Sequence, residues 1–237
     1  MEPGTIPYCG APPLPHDLWT RWNPDPVLAA VLVLAFAALT RAGGRPAPLW
    51  AGFALLAVLF VSPLCALTSA LFSARTVHHL LLVELVAPCL ALALPRGGRA
   101  LPSWTLAQAV VVWIWHAPPA YALALANDGV YWLMQASMLA VAVGFWRAVL
   151  AASAPAAGAA LLATMVQMGL LGALLAFAGR AIYAFHWTTV QPWGLSPRED
   201  QQLAGLIMWV PGAGAYLLAA LALTGAWLSR RERAMAA

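Results

Sequence analysis

Ala157-Gly158-Ala159-Ala160-Leu161-Leu162-Ala163-Thr164-Met165-Val166-Gln167-Met168-Gly169-Leu170-Leu171-Gly172-Ala173-Leu174-Leu175-Ala176-Phe177-Ala178-Gly179 is a run of 23 residues without a single charge. As a helix, such a run extends roughly 34 Å at about 1.5 Å per residue, enough to cross the ~30 Å hydrocarbon core of a bilayer. Similar runs occur on both sides of it. The sequence predicts spans at 27–41, 48–71, 77–95, 104–126, 129–150, 157–180 and 197–228, the first of them short. The expected fold is therefore an all-α membrane protein, a seven-helix transmembrane bundle. It is preceded by a Pro/Trp-rich exterior tail (1–26) and followed by a basic cytoplasmic tail (229–237).

Composition supports this reading. Of the 237 residues, 63% are hydrophobic and 8% charged, and the mean hydropathy is +0.80. A soluble domain carries about 25% charged residues. Spans and short connections use up the chain and leave no room for a separate soluble domain. All twelve basic residues are arginines, spread one to three per connection. Nucleic-acid binding would gather them on one face, so nucleic acid is not an expected partner. The lysine-free, alanine-rich composition fits a GC-rich bacterial genome, and the expected location is the bacterial inner membrane. The N-terminus lacks the basic segment of a cleaved signal, so the first span is expected to remain as a helix.

Arginine counts set the orientation, because basic residues accumulate in cytoplasmic connections. With the N-terminus outside and the C-terminus in the cytoplasm, the inner connections and C-terminal tail hold Arg41, Arg45, Arg96, Arg99, Arg147, Arg230, Arg231 and Arg233. Arg21, Arg75, Arg180 and Arg198 are then outside, an eight-to-four division. The start of the last helix can be read from Ser196-Pro197-Arg198-Glu199. Serine at the N-cap, proline at the first helical position and glutamate at N3 form a capping box.

This topology places all five histidines on the outer side or in the outer half of the membrane. His16 and His186 read as surface groups. His78 and His79, adjacent on a helix, point about 100° apart and do not pair on one ion. His116 lies in Trp113-Ile114-Trp115-His116-Ala117-Pro118-Pro119, where the two prolines break the helix. Glu84 lies well inside a span, where a carboxyl group is costly and marks a functional site by default. Met138 and Met208 fall at depths comparable to His116. Glu84, His116, His79 and Met208 are expected to line one outward-facing pocket, with His78 as a further ligand candidate. Imidazole with thioether favours copper, especially Cu(I). Cys65 and Cys89, within apolar segments, read as small buried hydrophobes, and exterior Cys9 as a possible thiol ligand. No phosphate-binding loop, Ser/His/Asp order, HExxH or CxxCH occurs, and no enzymatic activity is expected. The inner half of the bundle reads as almost purely apolar.

The order of segments resembles the multi-spanning cytochrome c oxidase assembly factors of the CtaG type, the family associated with caa-type oxidases. The matching stretches are Tyr8-Cys9-Gly10, Leu18-Trp19 to Pro26, Phe72-Ser73-Ala74 to Pro88, Trp115-His116-Ala117-Pro118 and Gly169 to Leu175. Above all there is Trp193-Gly194-Leu195-Ser196-Pro197 to Pro211-Gly212, with Glu199-Asp200-Gln201-Gln202-Leu203-Ala204-Gly205-Leu206-Ile207-Met208-Trp209 inside it. The resemblance implies a non-catalytic role in maturing an aa-type cytochrome c oxidase. That role is copper delivery or subunit docking from the outer side, with oxidase subunits or copper chaperones as partners. This chain departs from its relatives where Arg75 replaces a histidine, and where Tyr131, Met134 and Gln135 open the fifth helix in place of a histidine-rich start. A metal role here then rests on His78, His79, His116 and the methionines. Two other readings stay open: a membrane copper or proton transporter relaying through Glu84 and His116, and a haem-handling protein using histidines from different helices.

Overall fold

The computed structural model describes residues 6–95 and 100–236, and within them every regular element is helical. The elements are α1 (Pro26–Arg41), α2 (Pro46–Val61), α3 (Pro63–Ala70), α4 (Phe72–Leu81), α5 (Ala87–Ala93), α6 (Leu101–His116), α7 (Pro118–Ala126), α8 (Asp128–Ala151), α9 (Ala154–Phe177), α10 (Pro197–Ile207) and α11 (Ala213–Ala236). Four rods are long and apolar enough to cross a membrane: Phe72–Ala93, Asp128–Ala151, Ala154–Phe177 and Pro197–Met235. Two bent pairs raise the number to six, α2 with α3 (50°) and α6 with α7 (73°). The first expected span, α1, has 16 residues. At about 1.5 Å per residue it reaches only ~24 Å, short of the hydrocarbon thickness.

Proline positions explain most of the boundaries. A proline at the first or second position opens α1, α2, α3, α6, α7, α9 and α10, where its missing N–H would have had no partner anyway. Inside a rod the same residue widens the helix. Pro88 cannot donate to the carbonyl of Glu84, and the preceding Leu82–Val86 is a π turn. Pro211 cannot donate to Ile207, and Met208–Gly212 is a second π turn. The Ser196 capping box forms as expected, with Glu199 N donating to Ser196 Oγ and Ser196 N to Glu199 Oε2.

Polarity is distributed as lipid requires. Val33, Leu34, Leu106, Leu133, Val166, Leu170, Leu174 and Leu218 face outward and are more than half exposed, while Arg75, His78, His79, Gln108, His116, Gln135, Thr164 and Asp200 are buried. Hydrocarbon gives polar groups no partners, so they gather inside the bundle. The half expected to be the inner one is less purely apolar than the sequence suggested, because Gln108 Nε2 donates to Tyr216 OH at 2.9 Å, with both side chains fully buried.

The third span begins earlier than expected. Only Leu71, in an extended conformation, separates α3 from α4, so Arg75 lies within α4 and is 1% exposed. It is not a loop charge and does not count towards orientation; Arg96 and Arg99 lie outside the described residues. The start of α4 is capped from a distance. Asp200, on α10, accepts from Phe72 N (2.6 Å), Ser73 N (3.1 Å) and Ser73 Oγ (2.5 Å). A buried carboxylate there satisfies orphan amides and meets the positive end of the helix.

The N-terminal segment is a strap bound across one end of the bundle. Cys9 and Cys65 form a disulfide, which replaces the sequence readings of Cys9 as a free ligand thiol and Cys65 as a simple hydrophobe. Tyr8 stacks on Tyr131 at 5.0 Å and donates to Asp25. That bond, together with the backbone amide of Val27, holds the Asp25 carboxyl below its usual range. Trp193 Nε1 bonds Pro13 O at 3.2 Å, and Asn23 bonds the end of α2 through Phe60 O and Val61 O. The last helix continues to Ala236, so the expected basic tail is helical.

Candidate functional site

Near the strap end, α4, α6, α8, α9 and the π turn after α10 close around a small cavity. It encloses about 10 Å³ and is lined by His79, His116, Met138, Met168 and Met208, with Thr76, Leu80, Val83 and Val112 completing the wall. Each of these donors comes from a different helical segment. The imidazole centroids of His79 and His116 are 6.4 Å apart. All three methionines are at most 2% exposed.

Local structure holds each imidazole. His116 is the last residue of α6, beside the 73° break. Its Nδ1 lies 2.7 Å from Val112 O, which can only accept, so Nδ1 carries the proton and Nε2 is left with a lone pair. Its backbone carbonyl, at the proline break, accepts from Tyr183 OH at 2.7 Å. His79 has Gln135 Nε2 at 3.5 Å from its own Nε2. Gln135 is on α8, one turn below Tyr131 and one above Met138.

Three expected residues therefore meet at one cavity: His79, His116 and Met208. The structure adds Met138 and Met168. Sequence had placed Met138 at the right depth, and only the packing of α9 brings Met168 in. His78 is separate. It faces away, edge-on to Phe60 at 4.9 Å, and neither ring nitrogen has a hydrogen-bond partner among the described residues. Adjacent positions on one helix cannot share a target, as the 100° rule required.

Glu84 is also apart from the cavity. It sits in the π turn Leu82–Val86 and lines a groove with Val77, Leu81, Ile207, Pro211 and Gly212. Five positions at about 100° each put it roughly 140° around the helix from His79. His186, expected at the surface, is 2% exposed. Its Nδ1 lies 3.2 Å from Ala70 O and its Nε2 2.7 Å from Tyr121 OH. Burial, reinforced by the positive charge of Arg75, depresses its pKa to about 3.

Arg75 lies one turn above His79. Its Nε and Nη2 donate to Thr68 O at 3.3 and 3.2 Å, and its guanidinium lies over the rings of Tyr121 and Tyr131 at 5.8 and 5.7 Å. Aromatic faces and a carbonyl stabilise the cation in place of a carboxylate. Tyr131 in turn reaches Cys9 Sγ at 3.3 Å. A continuous column thus runs from disulfide to cavity. Among the described residues no three His, Cys, Asp or Glu side chains converge; the cluster is made of two imidazoles and three thioethers.

No individually curated protein and no solved structure matches this chain. A protein family does match. Its description is cytochrome c oxidase caa3 assembly factor (Caa3_CtaG), and the matched residues are 29–109 and 100–230, which take in every helix apart from the first three residues of α1 and the last six of α11. With nearly the whole membrane domain covered, the chain belongs to the caa3-type cytochrome c oxidase assembly factor family.

Proposed function

We propose that this protein is a non-catalytic factor in the maturation of an aa-type cytochrome c oxidase, and that it holds copper in transit at the His79–His116–Met138–Met168–Met208 cluster. The observation that carries this reading is the convergence of two imidazoles and three thioethers on one buried cavity. These donors are neutral and soft, a set that suits Cu(I) better than zinc or a hard cation. Copper is here a cargo, passed to an oxidase subunit or received from a copper chaperone.

Orientation follows from charge and redox chemistry. Among the described residues Arg41, Arg45, Arg147, Arg230, Arg231 and Arg233 gather at one end of the bundle, against Arg21, Arg180 and Arg198 at the other. The disulfide is at the arginine-poor end. Arginine-rich connections face the cytoplasm, and disulfides persist in oxidising compartments. Both support a strap and cluster on the outer side of a bacterial cytoplasmic membrane. A cavity of about 10 Å³ has no room for a porphyrin, and no observation favours haem handling or transport over this reading.

Purified protein loaded with Cu(I) under anaerobic conditions tests the cluster. His116→Ala and Met208→Leu should each lower retained copper at least five-fold, while Glu84→Gln and His78→Gln should leave it unchanged. Equal copper in all five proteins would remove the metal role. Deletion of the gene should deplete assembled oxidase while its subunit transcripts persist, and normal oxidase activity in that strain would sink the assembly reading.

A further inference from the structure

A groove outside the candidate site lies at the arginine-rich end. It has a volume of about 390 Å³ and is lined by Arg45, Arg147, Gly43, Leu92, Leu94 and Leu150 among others, with no carboxylate in its wall. Three segments form it: the α1–α2 turn, the end of α5 and the last turns of α8. The turn is fixed to α5 by Arg45 N donating to Ala93 O at 2.8 Å. Gly43 adopts φ +81, which lets the chain reverse tightly there.

The two cations in this wall have donors to spare. Arg147 spends Nη2 on Pro95 O at 3.3 Å, while its buried Nε has no partner among the described residues. Among the described residues Arg45 forms no side-chain hydrogen bond or ion pair. Among the described residues the one ion pair, Arg21–Asp17, is at the opposite end of the molecule. A buried guanidinium N–H left unpaired is costly, and a bidentate oxyanion is its best complement. Depth points to the source of that oxyanion. Trp50, 64% exposed and little more than one turn above Arg45, marks the headgroup level. Leu92, Leu94 and Leu150 give the same groove an apolar flank towards the hydrocarbon.

We propose that this groove binds a phosphate group, that of an anionic phospholipid in the cytoplasmic leaflet. Arg147 and Arg45 hold the phosphate oxygens, and the leucine flank takes the first part of an acyl chain. The site is independent of the metal cluster, which lies towards the opposite end of the bundle. An arginine near the membrane surface typically contributes enough to an anionic lipid for a roughly five-fold change in affinity.

Native mass spectrometry of the full-length protein in detergent, titrated with phosphatidylglycerol or with phosphatidylcholine of the same chains, tests this. Phosphatidylglycerol should bind preferentially. Arg147→Gln and Arg45→Gln should each weaken that preference about five-fold. Arg45→Gln removes no hydrogen bond seen in the structure, so its fold should persist, and Arg198→Gln at the opposite end should bind like wild type. Equal retention of the two lipids, or a preference unchanged in both groove variants, would overturn the proposal. In a parallel arm, inorganic phosphate at millimolar concentration should fail to displace the lipid; full displacement would assign the groove to soluble phosphate instead.

Discussion

Residue by residue, the polar groups of this bundle are governed by where their protons can go. His186 has a carbonyl on one ring nitrogen and a tyrosine hydroxyl on the other. Ala70 O can only accept, so Nδ1 carries the proton and Nε2 accepts from Tyr121. The neutral ring is satisfied on both sides and the charged form is disfavoured, with a pKa of about 3. Its native pKa is thus below the unfolded value, and its stabilising contribution is complete above pH ~6.5 and declines as the pH falls towards 3. Between pH 7.5 and 5.5 this one group should cost about 1.4 kcal/mol of stability. Thermal unfolding in detergent should show His186→Gln with a correspondingly flatter dependence than wild type over that interval; parallel curves would refute the assignment. None of this was readable from Tyr183-Ala184-Phe185-His186-Trp187, because the partners are 65 and 116 residues away in sequence. His116 was readable, because its distinguishing neighbours, Pro118 and Pro119, are adjacent to it.

At the scale of helices, local chemistry explains the ends and breaks, and long-range packing explains the rest. The Ser196 box and the bend at Ala117 followed from a few consecutive residues. The capping of α4 by Asp200 did not, since an aspartate after a capping box reads as part of the first turn of its own helix. Likewise Glu84 shares a depth with His116 but not a face with His79, because five positions on one helix turn it by roughly 140°. Helices α9 and α10 meet backbone to backbone: a Cβ on Gly205 would lie 2.5 Å from both Ala176 N and Gly172 O. Small residues permit such approach between spans in lipid. Gly205→Val should therefore destabilise the bundle by about 2 kcal/mol or more, as overpacking does. Since Met208 follows on the same rod, it should also reduce copper retention. Gly225→Ala, with nothing within 4 Å of the new methyl, should leave the unfolding temperature unchanged or raise it; equal loss in both variants would contradict the packing argument.

For the molecule as a whole, the class of fold was evident from the apolar runs, while the closure of the strap was not. Cys65 lies in an oily stretch, and its partner is 56 positions earlier. The missing signal was topological. Cys65 belongs to the end of its span that lies on the same side of the bundle as the N-terminal tail, so topology alone brings the two sulfurs to one side. A cross-link enclosing about 56 residues contributes roughly 4 kcal/mol in the chain-entropy account. Cys9→Ser and Cys65→Ser should each lower the unfolding temperature by a similar amount, and the double variant should be no worse than either; additive losses would show that the sulfurs act separately. There is also a consequence for the timing of biogenesis. On the proposed orientation the strap cannot be locked while Cys9 remains in the reducing cytoplasm, so the polypeptide would leave the ribosome incomplete and be finished only after export, by whatever oxidises thiols beyond the membrane. Tyr131, which touches Cys9, begins the column that leads to the cavity. On that orientation a member of an oxidase assembly family is itself completed by oxidation, and its supply is tied to the oxidising capacity of the compartment that receives its strap.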